Sequence, residues 1–188
     1  MTSYGNLTVL TGPSGVGKGT IVRKILQKYN DVWLSISATT RQPREGEVDG
    51  KHYFFLEKKE FKKNIDNNGF LEWASFANNF YGTPRNIVTK KLKKGINVLL
   101  EIELEGARQI RKSFPEAFQI FLAPPNLSEL EKRIRGRGTE TEKSIKERLA
   151  IAEKELLAKQ EFDAVIINQN IDVAFLEIES LMRLKSKK

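Results

Sequence analysis

The 188-residue chain contains no cysteine and a single histidine, His52. Disulfides, a thiol nucleophile and thiolate metal centres are excluded, and a zinc site would lack its usual ligands. No apolar run approaches the roughly 20 residues that span a bilayer. The N-terminus has no basic stretch followed by an apolar signal region. These absences predict a mature, cytoplasmic protein with no membrane partner. No internal repeat, low-complexity block or linker interrupts the chain, whose length suits one globular domain over 1–188.

What is present in surplus is positive charge, 32 Lys and Arg against 24 Asp and Glu. A basic excess fits nucleic acid or a small polyphosphate. The lysines at 90, 91, 93 and 94 and those at 185, 187 and 188 read as solvated surface. Arginines 41, 44, 135 and 137 instead sit in segments marked by glycine and proline, where a side chain can be aimed at a ligand. No nucleic-acid-binding motif accompanies the charge, so no nucleic-acid partner is expected.

Apolar strands alternate with amphipathic helices. Leu7–Leu10, Ile96–Glu103, Gln119–Ala123 and Ala164–Ile167 read as buried strands. Val22, Ile25, Leu26 and Tyr29 stripe one helix, and Ile145, Leu149, Ala152 and Leu156 a longer one. Asn126 with Glu129 resembles a capping pair ahead of a third. The pattern predicts a three-layer α/β domain around a parallel sheet, with core segments 1–34 and 84–188. Residues 35–83 break the rhythm and predict a small mixed α/β insertion. A glycine- and arginine-rich stretch within 133–148 predicts a hinged, mobile lid.

Between the first strand and the first helix runs Gly12-Pro13-Ser14-Gly15-Val16-Gly17-Lys18-Gly19-Thr20. Glycines let successive backbone N–H groups turn inward around an anion, and the following helix adds its positive end. Lys18 supplies a full charge to the outer phosphates. The loop alone suits a GTPase, an ATPase or several kinases. Gly19 stands where a metal-holding hydroxyl usually follows the lysine, with Thr20 one position later. Phosphoryl transfer calls for Mg²⁺, and the residues leave open whether it takes a direct protein ligand or is held through water and phosphate oxygens.

The next block is Ser37-Ala-Thr-Thr-Arg41-Gln-Pro43-Arg44-Glu-Gly46, running on to Tyr53-Phe54-Phe55. Two arginines around a proline can present paired forks to a second phosphate, although a surface turn has the same composition. The two tyrosines of the region, Tyr53 and Tyr81, equally suit a core.

In order, T-T-R-x-P-R-x-G-E-x-x-G-x-x-Y-x-F, F-L-E-W-A, Y-G-T and R-I-R-G-R-G-T-E follow a G-P-S-G-x-G-K loop. With these motifs the chain resembles the guanylate kinase family over about residues 5 to 182. The resemblance implies a phosphate-loop NTPase fold and ATP-dependent phosphorylation of GMP, with dGMP a second acceptor. It implies that Arg41, Arg44, Tyr53 and Tyr81 hold the GMP phosphate and that Ser37, Glu72 and Thr83 read guanine. Base chemistry agrees, since one carboxylate can accept from N1–H and the 2-amino group while hydroxyls donate to O6. Adenine would leave those buried groups unpaired. The family also implies lid arginines at Arg133, Arg137 and Arg148, with Arg135 exposed, and Asn168 beside the adenine of ATP. Glu101 and Glu103 stand where the family carries Asp-x-Asp, and Glu101 is expected to face guanine or a metal-bound water. Catalysis would rest on Lys18, Arg41, Arg137 and Arg148, in a monomer or homodimer.

Overall fold

The computed structural model describes residues 4–136, 138, 140–182 and 184. Arg137 and the lysines at 185, 187 and 188 lie outside them. The main sheet is built from β1 (Leu7–Thr11), β2 (Val32–Leu34), β7 (Asn97–Glu101), β8 (Phe118–Ala123) and β9 (Ala164–Ile167), in the order β2-β7-β1-β8-β9. Every pairing in it is parallel. The apolar stretch expected to run to Glu103 leaves the sheet at Glu101, because the chain turns there into helix α4 (Leu104–Ser113).

Side chains alternate across the strands, as the pleat requires. Leu7, Val9, Val98 and Leu100 pack against α3 (Arg85–Lys93) and α4. Leu10, Leu99, Ile120, Leu122 and Ile166 face the other way, onto α1 (Lys18–Lys28), α5 (Leu127–Arg135), α6 (Glu142–Leu157) and α7 (Ile171–Leu181). Each buried aliphatic side chain contributes about 1.5–3 kcal/mol, and strands covered on both faces explain the near-continuous apolar runs. Asn126 caps α5 by accepting from the Glu129 amide at 2.8 Å, but Glu129 turns outward to Lys132 instead of completing a reciprocal box.

A second sheet, β4-β3-β6-β5, is formed by β3 (Ala38–Thr39), β4 (Phe54–Phe55), β5 (Phe70–Phe76) and β6 (Asn79–Pro84). It closes over α2 (Lys58–Asp66) through stacked rings, with Phe61 4.3 Å from Phe70 and 5.5 Å from Phe80 between centroids. The β5–β6 pairing carries an irregularity between Phe70 and Trp73, where the register slips past Glu72. A bulge of this kind redirects a side chain. Glu72 consequently follows Phe70 and Leu71 into burial instead of alternating outward. Among the described residues no helix is long and apolar enough to cross a membrane.

Candidate active site

The glycine loop leaves the carboxyl end of β1, the strand between β7 and β8, where ligands of open α/β sheets bind. Gly17, at φ 108°, caps α1 without a side-chain hydrogen bond, and the first turn of the helix has no acid. The helix therefore presents its amide dipoles to the loop unneutralised. A Cβ on Gly17 would lie 2.7 Å from the Asn168 amide nitrogen, and one on Gly12 2.1 Å from the Leu122 carbonyl oxygen. Those close approaches demand glycine. Lys18 Nζ donates to the Gly12 carbonyl and, at 3.2 Å, to that of Pro13. Ser14, Gly15, Gly17, Lys18, Gly19 and Thr20 line a cleft of about 390 Å³, together with Arg23, Glu101 and Glu103. Val16 points its side chain into the core and offers the loop only its backbone.

Asn168 packs against the phosphate loop. It is 3% exposed, and its amide donates to the Val16 carbonyl at 2.8 Å. Its backbone carbonyl accepts from Arg133 at 2.8 Å. The side chain thus braces the phosphate loop.

A second cavity, about 600 Å³, is lined by Ser37, Tyr53, Glu72, Tyr81, Glu101 and Glu103 among others. Glu72 is 7% exposed. Its Oε1 accepts the Thr83 hydroxyl at 2.6 Å. A hydrogen bond to a charged group contributes roughly 1.5–3 kcal/mol, against several kcal/mol for withdrawing a carboxylate from water. Burial wins, and the Glu72 pKa is raised in spite of Thr83. Thr83 has one hydroxyl proton, committed here to Glu72. In this arrangement Thr83 orients Glu72, and Ser37 lines the same cavity.

Arg41 lies over the Tyr53 ring at 5.4 Å and the Phe55 ring at 5.9 Å, and Tyr53 meets Tyr81 edge to face at 6.1 Å. Its guanidinium pairs with Glu47 at 2.8 Å, while the other Glu47 oxygen accepts from the Arg44 amide at 2.7 Å. Held by Arg41 and then by Arg44, the Glu47 carboxyl drops to about 2. Glu47 organises the arginine turn, a role the sequence reading did not assign, although the residue lies within the quoted motif. Arg44 reaches the arrangement through its backbone, its side chain remaining exposed. His52 sits in the neighbouring turn, accepting from the Val48 amide at 2.9 Å through Nδ1.

Glu101 and Glu103 line both cavities, so the two open onto one another at the end of β7. Burial raises the Glu101 pKa, Lys18 lowers it and Glu103 raises it. From α6, half-buried Glu155 is raised by burial and then by Glu103, and lowered by Lys18. Nothing in its helical spacing distinguished it. Arg148, on the same helix, donates to Ser14 Oγ and to Glu140. Arg135 ties Glu131 on α5 to Glu142 on α6 across the intervening loop.

A backbone cradle for one polyphosphate, joined to a side-chain pocket with its own phosphate-sized arginine grip, places the chain among the phosphate-loop kinases. Comparison with known proteins narrows the class. The guanylate kinase family model matches residues 4–185. A guanylate kinase of Prochlorococcus marinus is 78% identical, over 98% of this chain and all of its own length. One from a Synechococcus strain is 61% identical over 94% of this chain and 93% of its own. The crystal structure of guanylate kinase from Anaplasma phagocytophilum superposes with a TM-score of 0.73 at 31% identity, covering 100% of this chain and 89% of that one. The chain belongs to the guanylate kinase family.

Proposed function

We propose that this guanylate kinase phosphorylates GMP to GDP by direct in-line transfer from ATP, with dGMP as a second acceptor. A GMP phosphate oxygen attacks the γ-phosphorus of ATP while the bond to the β–γ bridging oxygen breaks, releasing ADP. The attacking oxygen is already anionic, so no general base is needed and no covalent enzyme intermediate forms. The loop amides and Lys18 bind the donor phosphates. Arg41, presented by Glu47 against Tyr53 and Tyr81, grips the acceptor phosphate, with Arg44 beside it. Arg133, Arg137 and Arg148 converge on the transferred group as a mobile lid over 133–148 closes on the core, excluding water and sparing ATP from hydrolysis.

The oxygen donors along the shared wall fit magnesium. Thr20, Glu101 and Glu103 all face the phosphate cleft, yet among the described residues no set of three or more acids or histidines is arranged to hold a metal. Phosphate oxygens and water would complete its shell, and the bound ion would neutralise charge on the β- and γ-phosphates. The chain works in the cytoplasm as a monomer or homodimer.

The observation that carries this reading is the buried Glu72, held by Thr83, in a cavity that shares Glu101 and Glu103 with the phosphate cleft. Guanine offers two adjacent donors to such a carboxylate, whereas adenine turns a lone pair toward it. A coupled assay of ADP formation with GMP, dGMP, AMP, dTMP and UMP tests it. Turnover is expected with the two guanine nucleotides and should fall by a factor on the order of 10⁴ with AMP. Equal use of AMP would refute the base assignment.

A further inference from the structure

Gly106 lies in the first turn of α4, buried, with its backbone outside the left-handed region. Nothing in its conformation calls for glycine, and alanine is the better helix former. Its surroundings are what set it apart. A Cβ at this position would stand 3.1 Å from Glu72 Oε2 and 3.4 Å from Ile102 Cδ1. Gly106 lines the same cavity as Glu72. We infer that Gly106 is a specificity-determining residue: its missing side chain keeps the second oxygen of Glu72 open to the acceptor base.

The two oxygens of Glu72 are not equivalent. Oε1 accepts the Thr83 hydroxyl at 2.6 Å, while Oε2 is the oxygen that faces Gly106. To accept from both N1–H and the 2-amino group, the carboxylate must present Oε2 in the plane of the base. A methyl group 3.1 Å away would push it aside by a few tenths of an ångström.

The helix cannot step back to relieve that contact, because α4 is fastened to β5 on both sides of Glu72. Gln109 exchanges two hydrogen bonds with the backbone of Trp73, at 3.0 and 2.9 Å. Ser113 donates to the Leu71 carbonyl at 2.5 Å. Residues 106, 109 and 113 share one helical face, so the fastening and the gap belong to a single surface. The displacement must fall on the carboxylate.

This inference rests on the reading of Glu72 as the base-recognising residue. The test is steady-state kinetics and thermal unfolding of Gly106→Ala and Gly106→Ser in the full chain. Both variants should raise KM for GMP tenfold or more, leave KM for ATP within twofold, and melt no lower than the parent. The serine variant adds a hydroxyl donor to the open oxygen and occupies it from within. A KM for GMP within twofold of the parent would overturn the proposal. So would a drop in Tm accompanied by equal rises in both KM values, which would mark the glycine as a packing residue. On a Glu72→Ala background, adding Gly106→Ala should change KM for GMP less than twofold, and a persisting tenfold effect would again overturn it. If Glu72→Ala alone leaves GMP use intact, the underlying reading fails. If that variant is crippled and Gly106→Ala is not, only the present inference fails.

Discussion

The two halves of the site hold phosphate by different means. The donor cleft is made mainly of backbone: a glycine turn, a helix end without a side-chain cap and one lysine, with Arg23, Glu101 and Glu103 at its wall. The acceptor pocket is made mostly of side chains from β5, β6, the end of β7 and the turns flanking β3, with Glu72 held by Thr83 and Arg41 by Glu47. A backbone cradle recognises charge and shape without regard to what carries them. Selectivity has to come from the other half, where a displaced carboxylate or an unpaired hydroxyl separates one base from another.

The contrast is broken most sharply at Lys18. Lys18→Ala should lower kcat roughly 10³-fold, the scale of losing a preorganised charge in a water-poor site, while KM for GMP moves less than threefold. Initial-rate measurements with both substrates varied check this. A comparable loss confined to KM for GMP would mean the two halves are not separable.

The acceptor half should also respond to pH through Glu72. Burial raises the Glu72 pKa, and only the ionised form accepts from both guanine donors. KM for GMP should therefore climb as pH falls through that raised value, above the ordinary carboxylate range, by up to about 10²-fold once Glu72 is protonated. A Glu72→Gln variant should show a high KM for GMP without the pH dependence.

The smallest expected effect tests whether the cradle is supported from outside. Asn168→Ala leaves the Val16 carbonyl unpaired in a buried place, a loss of about 1–3 kcal/mol. KM for ATP should rise about tenfold and KM for GMP should not move. If Asn168 faced the adenine instead, GTP and ATP would be discriminated differently in the variant, which a donor panel reads directly.

This asymmetry also explains what the sequence could disclose. The parallel sheet was legible because doubly covered strands are apolar at every position, as in Val98-Leu99-Leu100. The loop was legible because its nine residues are contiguous. The acceptor residues were suggested by ordered motifs, and Ser37, Tyr53, Glu72, Tyr81 and Glu101 do line one cavity. Their partnerships were not readable. Thr83 turns to Glu72 because a bulge in β5 swings that carboxylate inward, and a bulge leaves no mark in local spacing. Gly106 matters only through a contact made 34 positions from Glu72, and Asn168 only through the loop it supports.

The bond from Asn168 to Val16 spans 152 positions. On a ribosome the nucleotide-gripping turn is among the first parts to emerge, yet the residue that steadies it is made near the end, on a strand that must first dock beside β8. A nascent chain holding the whole motif is therefore still an unfinished ATP binder. The loop gains its buried brace only after β9 has paired with β8, late in synthesis.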